Sequence, residues 1–297
     1  MTMRYDIRLI VDYEYSHPVD SGRHLLRLSP LSIPHRQSVE YSTLAITPRP
    51  GEQHGRSDFF GNDVVEIAYR NAISQMRFEM EARVACLPSP APSGAAARLA
   101  DLARELSATG DLGPLSPCHL IDPSPRARPD PAIAAFARSV IGPDADVADA
   151  VVSLGEALHR TMIYDPEATN VDTPASASFA LGRGVCQDFT HIMIVALRAV
   201  GIPAGYVSGF LRTDPPPGRP RLEGADAMHA WVRAWCGREA GYMEYDPTNA
   251  TRAGEDHVVI AAGRDYADVA PVRGVMRSVG EHLTRQSVDM RPIADIR

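Results

Sequence analysis

Residues 4–16 alternate without a break. Tyr5, Ile7, Leu9, Val11, Tyr13 and Tyr15 fall on one side of an extended chain, and Asp6, Arg8, Asp12 and Glu14 on the other. A period of two with one apolar face predicts a half-buried antiparallel strand. The pattern returns at Ser38–Ile46, at Asp63–Tyr69, and through Met76, Phe78, Met80, Ala82, Val84 and Cys86. Phe60-Gly61-Asn62-Asp63 is a turn signal between runs. Residues 1–87 therefore read as a small antiparallel β domain. Cys86 falls on its buried phase, which predicts an inert core thiol.

Residues 88–131 are rich in Pro, Ala, Ser and Gly. They read as an extended connector with one short helix near Ala95–Ser107, where Leu99, Leu102 and Leu106 share a face. Cys118 and His119 lie here, and no second ligand pair stands at zinc spacing, so both read as loop residues. From about Asp130 the period becomes helical. Val147, Val151, Leu154 and Leu158 mark one helix. Phe189, Ile192, Met193, Ala196, Leu197 and Val200 form the apolar face of another, stopped by Gly201 and Pro203. Ile202–Leu211, His229–Trp235 and Tyr242–Asp246 read as strands, and Thr213–Gly218 as a Pro/Gly hairpin tip. Residues 132–297 thus read as a second unit of α+β class.

Hydrophobic residues make up 44% of the chain and the net charge is −7. No Lys/Arg block stands out, which argues against a nucleic-acid partner. No apolar run reaches membrane-helix length, and the N-terminus lacks the apolar core of a signal peptide. The four cysteines show no C-x-x-C spacing. A cytoplasmic protein with reduced thiols and no membrane partner is the expectation. There is no H-E-x-x-H, no calcium loop, no Walker loop and no G-x-G-x-x-G, so neither a metal nor a cofactor is expected.

The chemistry concentrates at Arg183-Gly184-Val185-Cys186-Gln187-Asp188-Phe189. A Cys stands at the first position of a helix, where the macrodipole favours a thiolate. His229 starts a later strand and shares a face with Trp231 and Arg233; Asp246 ends the strand that follows. Neighbouring antiparallel strands can set Asp246 beside His229, and the Asp would accept the Nδ1–H of the ring. The Cys186 N–H is a natural oxyanion donor, and the Gln187 amide a weaker second one. Asp188 reads as a helix-dipole partner and His191 as a packing or polar contact.

At these residues the sequence resembles the bacterial transglutaminase-like superfamily. The matching segments are Gly184–Phe189, Gly201-Ile202-Pro203-Ala204, Tyr206-Val207-Ser208-Gly209, His229-Ala230-Trp231-Val232 and Asp246-Pro247-Thr248-Asn249. Gly263–Gly274 is similar to the C-terminal signature of that group. Residues 1–87, with Leu26–Pro30 and Phe60-Gly61-Asn62, resemble its β-rich N-terminal domain. The resemblance implies a papain-like core in which Cys186 is the nucleophile, His229 the base and Asp246 the orienting acid. Gly241-Tyr242-Met243-Glu244-Tyr245 stands where the family usually has a Gly-Trp pair and a Phe. Trp231 and Tyr242 are candidates for the cleft walls, and Arg264 and Asp265, on the Gly263–Gly274 loop, for substrate contacts. Hydrolysis of a peptide or isopeptide-type amide is the first expectation, with a peptide or protein as substrate. Amine transfer to glutamine is the second, and a non-catalytic peptide-binding module the third.

Overall fold

A computed structural model describes residues 2–87, 94–213, 226–277 and 280–293. Its longest strand, β1 (Met3–Leu26), continues well past the alternating run. The register against its neighbour shifts between Glu14 and Val19, so the strand bends there instead of ending. With β2 (Gln37–Thr47), β3 (Glu52–Ser57), β4 (Asp63–Tyr69) and β5 (Ile73–Cys86) it forms a sheet of order β2-β5-β1-β4-β3. Tyr5, Ile7, Leu9 and Val11 are buried, as the alternation requires, and so is Cys86. Burial pushes the Cys86 thiol up to about 12, which keeps it protonated and inert.

The connector carries α1 (Leu99–Ser107) and a single 3₁₀ turn over Pro117–Leu120 that contains Cys118 and His119. Four elements then lead to the Cys motif: α2 (Pro131–Val140), α3 (Val147–Thr161), β6 (Ile163–Tyr164) and α4 (Ala175–Leu181). Asp130 and Asp146 cap α2 and α3 through their carboxylates. β7 (Arg183–Gly184) pairs with β6 and feeds α5 (Cys186–Ala199). α5 packs across a five-stranded sheet of order β11-β10-β9-β8-β12. Its strands are β8 (Ala204–Leu211), β9 (Ala227–Trp235), β10 (Tyr242–Asp246), β11 (Thr251–Arg252) and β12 (His257–Gly263). The sequence shows one apolar face on α5, but the structure buries Asp188 through Leu197 without a gap. Two polar residues in that run find partners: Thr190 Oγ1 donates to the Cys186 carbonyl, and His191 Nε2 accepts the Tyr266 N–H. The hairpin tip expected at Thr213–Gly218 lies, beyond Thr213, outside the described residues.

The end of the chain departs from the expected division. After α6 (Tyr266–Val269), β13 (Val272–Arg277) and β14 (His282–Ile293) leave the core and pair with β1. β14 runs along Arg4–Tyr15 and β13 along the C-terminal half of β1. The N-terminal sheet in turn covers the core's open edge at β12. Gln37, buried, donates to the Val259 carbonyl and accepts the Val259 N–H. Asn62 does the same for Ala262, at 2.9 and 2.7 Å. With the Leu31 N–H, which also donates to the Val259 carbonyl, these two side-chain amides stand in for a missing strand along the β12 edge.

Candidate active site

Gly184 and Asp188 build the entrance to α5. The Asp188 carboxylate, buried, accepts the Val185 N–H at 2.8 Å and the Thr169 hydroxyl at 2.6 Å. A Cβ at position 184 would lie 2.5 Å from Asp188 Oδ2 and 2.7 Å from Ser178 Oγ. Only glycine lets the chain pass this close. Asp188 is therefore a helix-entry residue, as its first-turn position predicts. Cys186 emerges half-buried at the positive end of α5. Among the described residues, no acceptor takes its backbone N–H.

β9 brings His229 over the start of α5, and β10 ends at Asp246. His229 Nε2 donates to Asp246 Oδ2 at 2.7 Å. This corrects the ring assignment expected from sequence, in which Nδ1–H points to the Asp. With Nε2 engaged, Nδ1 is the ring nitrogen that remains, and Cys186 lies near enough to favour a charge on the ring. Burial opposes a charge on His229, but the hydrogen bond to Asp246 and the nearness of Cys186 outweigh it and lift the imidazole to about 10. Burial likewise opposes a charge on Asp246. Hydrogen bonds from His229, His257 and Asn249 prevail and hold its carboxyl well below the usual range.

Three neighbours of this cluster are not among the site residues expected from sequence. His257 Nδ1 accepts the Gly254 N–H at 3.2 Å, which leaves the ring proton on Nε2, 3.3 Å from Asp246 Oδ2. Asn249 Nδ2 donates to the same oxygen at 2.7 Å. Tyr164, on β6, is 56% exposed. Its phenol is raised by partial burial and by the charge of Cys186. A signal for His257 existed only in its place at the start of an apolar strand. His229, Asp246 and His257 offer possible metal-ligand atoms within 4.8 Å of one another. The His257 proton fills that space with a hydrogen bond, and a cation would have to displace it.

The remaining candidates lie elsewhere. Trp231 is fully buried and donates its indole N–H to Glu244, so it backs the sheet and does not line a cleft. Tyr242 sits at the opposite end of β10 from Asp246, its hydroxyl donating to the Leu115 carbonyl at 2.9 Å. The Gln187 amide donates to the Val171 carbonyl at 3.0 Å, which fixes a neighbouring loop and occupies the group expected at the oxyanion. Asp265, fully buried, caps α6 and accepts the Arg126 N–H. Arg264 pairs with Asp268 at 2.8 Å. Arg264 and the two acids hold this loop together. His191 is buried, as a packing residue, and pushed down to about 4 by that burial.

The family model described as the transglutaminase-like superfamily matches residues 134–247, and that of the bacterial transglutaminase-like N-terminal region matches residues 5–85. An uncharacterized protein of Mycobacterium tuberculosis is 31% identical over 98% of this chain and 93% of its own length. A solved structure of a candidate cysteine protease from Cytophaga hutchinsonii superposes with a TM-score of 0.73 at 21% identity, covering 99% of this chain and 92% of the other. A protein-glutamine gamma-glutamyltransferase of Pseudomonas aeruginosa is 36% identical over 93 residues, 30% of this chain and 14% of that protein. The likeness to the solved structure extends over both sheets and the helices between them. The chain belongs to the transglutaminase-like superfamily, with the bacterial N-terminal region ahead of the core.

Proposed function

We propose that the protein is a cysteine peptidase or amidase that acts on peptide or isopeptide-type amides. Membership of the superfamily supports thiol-dependent acyl transfer in general. The observation that carries the specific reading is His229 hydrogen-bonded to a saturated, buried Asp246, with Cys186 at the helix start near enough to act on the same ring. In this reading the imidazolium of His229 stabilises the Cys186 thiolate, which attacks the amide carbonyl. The Cys186 N–H at the helix start receives the developing oxyanion. The C–N bond breaks, and the leaving amine takes the proton from His229. Water then gives a proton to His229 and attacks the thioester, releasing the acid and the thiol. Asp246 keeps the ring oriented and the imidazolium stable throughout.

Cys186 is only half-buried, so the thioester is open to water. That favours hydrolysis. Amine transfer is the second reading, favoured by the match to the Pseudomonas aeruginosa glutamyltransferase over part of the core. Incubation with glutamine-containing peptides, with and without a primary amine, separates the two by mass: cleavage or deamidation against amine incorporation. Cys186→Ala should abolish either activity while the fold persists. A folded Cys186→Ala protein with more than a few per cent of wild-type turnover would sink the enzyme assignment. It would leave the cleft as a peptide-binding module.

A further inference from the structure

The N-terminal sheet, the C-terminal strands and the core enclose a groove of about 670 Å³. Its walls include Tyr13 of β1, His282 of β14, Tyr266 of α6, Arg126, Arg273 and Val171. Val171 fixes where the groove lies. Its carbonyl holds the side chain of Gln187, the residue after Cys186, so the groove adjoins the loop beside the thiol. Tyr266 packs 6.1 Å from Tyr206, whose ring lies 5.1 Å from that of His191 on α5.

The charge of this groove differs from that of the molecule. The chain carries −7, yet no Asp or Glu lines these walls. Arg126 is shared with the exposed Asp172 at 2.6 Å. Arg273 is exposed, donates only to the Ala267 carbonyl, at 3.1 Å, and has no carboxylate within ion-pair distance among the described residues. Burial raises the phenols of Tyr13 and Tyr266, so both remain hydrogen-bond donors with apolar rings. One unpaired guanidinium, a second shared with a single exposed carboxylate, and phenol and imidazole groups make a surface complementary to anions along an extended chain.

We infer that this groove binds an acidic stretch of the polypeptide substrate, with Asp or Glu side chains a few residues from the bond presented to Cys186. The position relative to the bond rests on the proposed role of Cys186; the binding itself requires no turnover. This gives the N-terminal sheet a function as one wall of the substrate site.

The test uses the full-length Cys186→Ala protein, which cannot consume its ligand. Three labelled peptides of equal length carry one glutamine flanked by Glu, by Ser or by Lys, and binding is read by fluorescence anisotropy. The Glu peptide should bind about tenfold tighter than the Ser peptide, the value of one charge-assisted hydrogen bond. The Lys peptide should bind weakest, and the differences should shrink as salt rises. Arg273→Glu should erase the preference and Arg273→Lys should keep most of it, with thermal midpoints confirming that both fold. Equal affinities, no binding of any peptide, or an Arg273→Glu protein that still prefers Glu would overturn the inference. Acid-selective binding by a wild-type protein that turns over none of the peptides would instead remove the enzyme reading and leave the groove standing.

Discussion

Asp246 places two oxygens within reach of five donors. Oδ2 receives His229, His257 and the Asn249 side chain, and Oδ1 receives the N–H groups of Thr248 and Asn249. No lone pair is left for water, so the carboxylate is held charged and fixed in place. Asp246→Asn keeps the volume but turns one oxygen into a donor facing the histidines. A loss in kcat of roughly 10- to 1000-fold is expected, less than the ~10⁴ of serine enzymes because a thiol depends less on its base. The pH profile gives a second readout. His229 is raised from 6.5 to about 10 by Asp246 and Cys186, so the imidazolium persists until the pH climbs towards that value. Without the carboxylate the alkaline limb of kcat should move down towards neutrality. An unchanged kcat with an unchanged limb would remove Asp246 from the mechanism. The order Cys, His, Asp is legible in the sequence because each stands at the start or end of a recognisable element. The ring nitrogen that faces Asp246 is not legible, since that depends on how β9 lies over α5. His257 is not legible either, because it meets Asp246 only after the chain has folded back, whereas Asn249, three residues on, lies in the Asp246–Asn249 segment itself.

At the scale of elements, alternation was a reliable guide where one face is buried and failed where none is. β5 alternates and was found; β3, with five of its six residues exposed, was not. β3 is held by its backbone pairing with β4, which leaves no hydrophobic signature. β14 hides for a similar reason: only Val288 and Met290 on it are buried. Its exposed half is polar because that half runs along the surface of the sheet. The helix bearing Cys186 was legible in outline, but its cap was not, because Asp188 reaches back to Val185 and requires the glycine between Ser178 and itself. Gly184→Ala tests that close approach. The added methyl meets a hydrogen-bonded carboxylate and a serine hydroxyl that donates to the Arg183 carbonyl, so neither can retreat without losing a bond. A destabilisation of about 1–3 kcal/mol is expected, with activity falling more than stability because Cys186 sits two residues on. Chemical denaturation and turnover on the same sample check both. A variant as stable and active as wild type would show that α5 is not positioned by this contact.

At the scale of the whole molecule, the two sheets are joined by more than surface contact. Arg36, from the loop before β2, reaches Glu244 on β10. Glu244 also receives Arg233 at 3.0 Å and the indole of Trp231, whose ring meets His257 edge-on at 5.1 Å. His257 in turn touches Asp246. The N-terminal region is thus tied to the back of the candidate site through one buried carboxylate. Burial would raise that carboxyl, but Arg36 and Arg233 outweigh it and hold Glu244 near 2, below its ordinary 4.5. A depressed acid stabilises the fold above its unfolded pKa and loses that contribution as pH falls through the folded value. The window here runs from about 4.5 down to about 2, and the shift corresponds to about 3 kcal/mol. Glu244→Gln leaves two buried guanidiniums without a counter-charge, a change that typically costs 3–5 kcal/mol. At pH 7 the variant should therefore be less stable than wild type by about that amount. Between pH 5 and pH 3 the wild type should lose stability faster, because it alone has a Glu244 that takes up a proton on unfolding. The difference between the two proteins should narrow as the pH falls, while contributions from every other carboxylate cancel. Urea denaturation of both proteins across that range measures it. A gap that stays constant with pH would mean that Glu244 is not held ionised, and with it the electrostatic link between the N-terminal sheet and the site would fall.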